Sequence, residues 1–192
     1  MNIVIFGPPG AGKGTQANLL VKKFNLYQLS TGEILRKEIK DNTSLGQKIS
    51  SIINLGNLVS DNIVGNLIEK YITNETYKNK MIFDGYPRNL VQAKNLDSLL
   101  INNNQKIDIA LKLSVGLETI KKRITERKNL EKRSDDQEDI AIKRYNTYEN
   151  NIKPVIDFYK KCNLLKEVNG EAPVTKISDE ISGLINSIKG WL

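Results

Sequence analysis

Cysteine is nearly absent from this chain. Cys162 stands alone, which excludes an intramolecular disulfide and a cysteine-rich zinc site, and it is expected to pack beside its helix. Nothing approaches the roughly twenty consecutive apolar residues that span a bilayer. The N-terminal apolar run is broken by Gly7-Pro8-Pro9 before it could serve as a secretory signal. A cytoplasmic location with no membrane partner is the expectation. Internal repeats, Pro-rich or Gly/Ser-rich linkers and a second core are also missing, so the 192 residues are expected to form one domain, 1–192. The formal charge of +7 comes without any block of five or six like charges. The longest basic run is Lys121-Lys122-Arg123, and no aromatic residues interleave with basic ones, so no nucleic-acid partner is expected. A basic surface suits a small anionic substrate equally well.

Arginine is scarce too. Of twenty-nine basic residues only six are arginine: Arg36, Arg88, Arg123, Arg127, Arg133 and Arg144. A lysine-rich chain keeps arginine where a planar, permanently charged fork must grip phosphate with two bonds. Arg123 and Arg127 are four apart and share one helix face. A single arginine reads as readily as a surface ion pair of little consequence. Six of them beside a phosphate-binding loop point instead to phosphoryl transfer, where catalysis is mostly positioning and charge neutralisation.

That loop is at the start of the chain, in MNIVIFGPPGAGKGTQ. Ile3 to Phe6 form an unbroken apolar run, as in a strand buried on both faces. Gly7, Gly10, Gly12 and Gly14 let the backbone curl so that its N–H groups face a phosphate. A helix starting near Lys13 aims its positive end at the same spot, and the lysine reaches the outer phosphates. The generic pattern places Ser or Thr directly after the lysine; here Gly14 intervenes and Thr15 follows.

Strand and helix signals alternate, which predicts an α/β fold of the P-loop NTPase kind, a five-stranded parallel sheet flanked by helices. Strands are expected near 2–6, 27–29, 80–84, 108–113 and 164–168. Helices are expected over 13–24, 31–41, 44–54, 61–73, 89–100, 116–128, 137–161 and 174–189. Two stretches interrupt the alternation. Residues 30–73 carry about three helices between consecutive strands and read as a helical insertion. Residues 128–136, KNLEKRSDD, read as a short polar link between long helices. Lids over substrates are built from such parts.

A second motif is Phe83-Asp84-Gly85-Tyr86-Pro87-Arg88. Asp84 ends an apolar strand at the sheet edge where nucleotides lie, and a carboxylate there can hold Mg2+ through its water shell. Gly85 and Pro87 make a tight turn that returns Arg88 towards the site.

GPPGAGKGTQ, LSTGEILR (29–36), FDGYPRNLVQA (83–93) and RSDDQEDIAIKRYNTYENNIKPVIDFY (133–159) together resemble adenylate kinase, from Met1 to about Val174. The resemblance implies conversion of MgATP and AMP to two ADP by a monomer, with an AMP-binding insertion at about 30–59 and a lid at about 126–136. It assigns Gly10, Ala11, Gly12, Lys13, Gly14 and Thr15 to the ATP phosphates. Ala172, in the loop Gly170-Glu171-Ala172-Pro173-Val174, falls beside the ATP adenine. Thr31 and Arg36 face AMP, Asn57, Leu58 and Val59 border its adenine, and Gly85, Tyr86, Pro87 and Arg88 close on it. Gln92 pairs with the adenine edge. Arg127 touches ATP, Arg133 and Arg144 lie on the AMP side, and Arg123 contacts the transferred phosphates. Lys13, Arg88, Arg123, Arg127, Arg133 and Arg144 form the implied catalytic set. Asp135 and Asp136 match a lid acid pair acting as ion-pair partners.

There are departures from the family pattern. Only five residues separate Arg127 from Arg133, which implies a short lid with no structural zinc. KNLEK replaces the usual glycine-containing lid segment, and Glu33 stands where aspartate is common. Kinases of UMP or CMP share the scaffold and are the alternative, although Thr31 and Gln92 favour adenine over the alanine and asparagine of those relatives. A nucleotide-binding switch would hydrolyse ATP slowly and would have no need of arginines for a second phosphorylated substrate.

Overall fold

The computed structural model describes residues 1–131 and 133–189; Lys132, within the expected lid, and residues 190–192 lie outside the described residues. The chain opens with β1 (Ile3–Phe6), α1 (Lys13–Phe24) and β2 (Tyr27–Ser30), followed by α2 (Thr31–Lys40), α3 (Ser44–Asn54) and α4 (Asp61–Ile72). It continues through β3 (Met81–Asp84), α5 (Leu90–Asn102), β4 (Ile109–Ser114) and α6 (Leu117–Glu131). Last come α7 (Glu138–Lys161), β5 (Leu165–Asn169) and α8 (Val174–Lys189). Single turns of 3-10 helix lie at Glu75–Tyr77 and Ser134–Asp136. The strands form one parallel sheet in the order β2-β3-β1-β4-β5. Each parallel neighbour requires a crossover, and the helices supply it.

Side-chain alternation along β1 explains the uninterrupted apolar run. Val4 and Phe6 enter a core with Phe83, Ile68 of α4, Leu96 of α5 and Val155 of α7. Ile3 and Ile5 point the other way, against Leu20 of α1 and Ile181 and Ile185 of α8. The strand is buried on both faces, so neither face needs a polar residue. Pairing of Ile5 with Asp84 brings the ends of β1 and β3 side by side. The glycine-rich loop and Asp84 therefore share the sheet edge where α/β folds bind ligands.

Local caps set the helix starts. Ser30 accepts from the Glu33 N–H, Thr43 from Gly46 and Asn89 from Gln92, each satisfying an otherwise unpaired first-turn donor. Two expectations change. Helix α6 runs on to Glu131 rather than ending at 128, because Lys128, Asn129, Leu130 and Glu131 include no glycine or proline to stop it. The next described element, the turn at Ser134–Asp136, begins three positions on. Cys162 is exposed at the C-cap of α7 instead of packed, since the chain leaves the helix there through the left-handed Asn163.

Candidate active site

The loop after β1 places its glycines where other residues would not fit. Gly12, at φ 90°, caps α1, and a Cβ on Gly10, at φ 84°, would meet Ile124 Cγ1 at 3.0 Å. Positive φ at both positions favours glycine, and the close approach of α6 would crowd a side chain at Gly10. Lys13 Nζ donates to the carbonyls of Gly7 at 2.7 Å and Pro8 at 3.0 Å, so the ammonium lies across the mouth of the loop. Burial lowers its pKa from 10.5 to about 8; Asp84 opposes the shift, and Arg88, Arg144 and Arg127 add to it.

Cations crowd this edge of the sheet. Arg88 is held by its own turn, donating from Nε to the Gly85 carbonyl at 2.7 Å. Burial lowers its pKa to about 10, and Arg144 pushes in the same direction while Asp84 opposes it. Arg36 and Arg144 are also lowered, in both cases chiefly by burial. Arg127 differs. Burial would lower its pKa, but two bonds to Asp136, from Nε at 2.7 Å and NH2 at 2.5 Å, outweigh that and raise it.

The acids that answer these cations sit in the turn before α7. Asp135 and Asp136 are both buried. Arg144 NH1 lies 2.9 Å from Asp135 Oδ2 and 3.2 Å from Asp136 Oδ1, and Arg36 NH1 lies 3.9 Å from Asp135 Oδ2. Asp136 thus bridges two arginines. Oδ1 of Asp135 is buried with no hydrogen-bond partner among the described residues.

Part of this cluster borders one cavity, which Arg127 and Asp136 do not line. Lys13, Thr31, Arg36, Asn57, Leu58, Val59, Gly85, Pro87, Arg88, Gln92 and Arg144 all line it. Thr31 donates to the Gly85 carbonyl at 3.0 Å, tying α2 to the turn after β3. Gln92 has both ends of its amide engaged: Oε1 accepts from Arg88 N–H at 2.7 Å, and Nε2 donates to Asp61 at 2.6 Å. Other candidate residues lie elsewhere. The Tyr86 ring is buried in the core beneath, and Arg133 pairs with Glu131 at 2.5 Å. Arg123 donates to the carbonyls of Ala11 at 3.3 Å and Gly170 at 2.9 Å. It links the glycine loop to the segment carrying Ala172.

Several contributors were not anticipated from sequence. Tyr148 and Ile152 extend the cavity wall along α7, each four residues on from the last, beginning at Arg144; that spacing was a readable signal. Asp61 and Gln28 had none beyond their position. Asp61 looks like an ordinary first-turn acid, yet it accepts from Gln92 and from Asn89. Gln28 donates to Asp84 Oδ2 at 2.9 Å from the neighbouring strand.

The family model described as adenylate kinase matches residues 5–164. The protein named adenylate kinase from Pelagibacter ubique is 42% identical over 211 residues, covering 96% of this chain and 99% of the relative. That alignment is longer than the chain, so this relative carries residues absent here. The one from Maricaulis maris is 39% identical over 185 residues, covering 96% and 98%. The one from Porphyromonas gingivalis is 36% identical over 189 residues, covering 98% and 97%. The chain belongs to the adenylate kinase family.

Proposed function

We propose that this enzyme transfers the γ-phosphoryl group of MgATP to AMP, reversibly, to give two ADP. The observation that carries the reading is the convergence of Lys13, Arg36, Arg88 and Arg144 on one cavity, with Arg127 joined to Arg144 through Asp136. So much fixed positive charge beside a cavity also lined by Leu58, Val59 and Val64 suits two phosphate tails and a base.

In this reading the backbone of Gly10 to Thr15 and Lys13 hold the ATP phosphates, and Ala172 borders the ATP adenine. Thr31, Arg36, Asn57, Leu58, Val59, the turn Gly85 to Arg88, and Gln92 form the AMP side. The Tyr86 ring supports that turn from the core. Arg123, Arg127, Arg133 and Arg144 complete the charge cage. The AMP-binding insertion is about 30–59 and the lid about 126–136.

The AMP phosphate is largely dianionic near neutral pH, since its second pKa is about 6, so attack needs no general base. The protein's task is to overcome repulsion between two polyanions and to hold attacking and leaving oxygens in line. Lys13 and the arginines neutralise charge, and closure of the lid keeps water from competing. Asp84 is suited to Mg2+: it is a hard oxygen donor, 7% exposed, with Oδ2 steadied by Gln28 and lying close to Gly14. A Mg2+ ion held there would supply neutralisation of phosphate charge. With one cysteine in the chain, no structural zinc is part of the proposal, which extends to a cytoplasmic monomer.

The test is ADP formation from MgATP that depends on added AMP, with CMP and UMP assayed in parallel. A melting shift with a two-adenosine, five-phosphate bisubstrate mimic reports both sites together. AMP-independent hydrolysis, or preference for a pyrimidine, would overturn the reading.

A further inference from the structure

Asp61 stands behind Gln92 and is joined to it by a short hydrogen bond. We infer that Asp61 is a specificity-determining positioning residue: it locks the orientation of the Gln92 amide and thereby sets preference for a 6-amino over a 6-oxo purine. This rests on the proposal that Gln92 meets the AMP base.

Donors and acceptors fix the amide's orientation. An ionised carboxylate only accepts, and a backbone N–H only donates. Gln92 lies between one of each. Its Nε2 donates to Asp61 Oδ1 at 2.6 Å, and its Oε1 accepts from Arg88 N–H at 2.7 Å. Turning the amide over would set oxygen against oxygen at Asp61 and N–H against N–H at Arg88, so one orientation survives. Asp61 is itself fixed, because Asn89 Nδ2 donates to both of its oxygens at 3.1 Å. Asn89 in turn caps α5 by accepting from Gln92 N–H at 2.8 Å. The result is a closed set of bonds joining the starts of α4 and α5.

What remains of the amide is one N–H and one oxygen lone pair, in places that do not exchange. Gln92 lines the cavity, so that remainder is available to a base. Adenine offers an amino donor beside a ring acceptor, the pattern a fixed glutamine amide reads. A 6-oxo purine offers an acceptor beside an N–H on its pairing edge, the reverse pattern. An amide free to turn serves either base; a locked one serves only the first.

The substitution Asp61→Asn tests this, since asparagine keeps the shape but can face Gln92 with either N or O. Rates with AMP, GMP and IMP are measured at saturating MgATP. The expected result is a fall of about tenfold or more in the preference for AMP over GMP and IMP, with kcat for AMP and KM for ATP little changed. Asn89→Ser is the companion variant, removing the Asn89 bonds to Asp61 while keeping a helix cap. Discrimination should persist in it; equal loss in both variants would mean that Asp61 acts only by holding α4 against α5, and would overturn the inference. Unchanged discrimination in Asp61→Asn would overturn it too. Gln92→Ala separates the two levels: if it leaves KM for AMP and base preference unaltered, the reading of Gln92 has failed; if it alters them while Asp61→Asn does not, only the role of Asp61 has failed.

Discussion

Arg127 and Asp136 face each other fork to fork, with Nε–Oδ2 at 2.7 Å and NH2–Oδ1 at 2.5 Å, and the Asp136 side chain has no exposed surface. The same carboxylate also takes Arg144 at 3.2 Å. Removing it leaves two partly buried guanidinium groups short of their counter-ion, which costs far more than a surface pair. Asp136→Ala should lower stability by about 3–5 kcal/mol, or about 10 °C in melting temperature. Polyphosphate supplies the missing negative charge if the arginines grip substrate as proposed. The gap to the unmodified protein should then narrow in thermal melts with the bisubstrate mimic. A gap that stays constant would place these arginines outside the nucleotide site.

Arg88 makes its side-chain bond to the backbone, from Nε to the Gly85 carbonyl, and has no hydrogen bond to a carboxylate among the described residues. Its remaining donors are directed by a turn tied to Thr31. Arg88→Lys keeps the charge but loses the fork and this anchoring bond. We expect a loss of about 2–4 kcal/mol in transition-state stabilisation, by analogy with removing an oxyanion donor. Steady-state kinetics should show it mainly in kcat. Near-normal turnover would remove Arg88 from the catalytic set.

Strands β1 and β3 were legible because parallel strands buried on both faces read as solid apolar runs, as Ile3–Phe6 and Met81–Phe83 do. The glycine loop was legible for a similar reason: its conformation demands a residue type. The end of α6 was not, because polar residues such as Lys128 and Asn129 look alike in a link and in an exposed helix. Within the site, single-sided requirements such as the fork of Arg88 could be read from residue type. Mutual ones could not. The bond from Gln92 to Asp61 joins α5 to α4 across thirty-one positions of sequence, and nothing local to Asp61 announces it.

Lys13 makes stability depend on pH in a stated direction. The unfolded chain keeps this proton to about pH 10.5, whereas the folded chain keeps it only to about 8. Between those values the unfolded state binds more protons, so this group makes stability increase as pH rises through the window. Below about pH 8 the buried charge is a steady cost. Lys13→Met should therefore be more stable than the unmodified protein at pH 7, though inactive, and its advantage should shrink between pH 8 and 10.5. Denaturant melts across that range measure it. An advantage that grows with pH would contradict the assigned environment of the ammonium.

Two glycines in helices make opposite predictions from the same substitution. At Gly46 in α3, an added Cβ would lie 2.0 Å from the Glu38 carbonyl oxygen of α2, and backbone cannot swing aside as a long side chain can. At Gly183 in α8, an added Cβ meets nothing within 4 Å. Alanine lowers the conformational entropy of the unfolded chain at both sites and is favoured in helices by about 0.5–1 kcal/mol. That gain should appear undiminished for Gly183→Ala. For Gly46→Ala it should be overwhelmed, since overpacking typically costs about 1–3 kcal/mol and separating two helix backbones falls at or above the upper end. Because α2 and α3 belong to the expected AMP-binding insertion, Gly46→Ala should also raise KM for AMP more than KM for ATP. Equal effects on both substrates would show that the displacement spreads into the sheet and is not confined to the insertion.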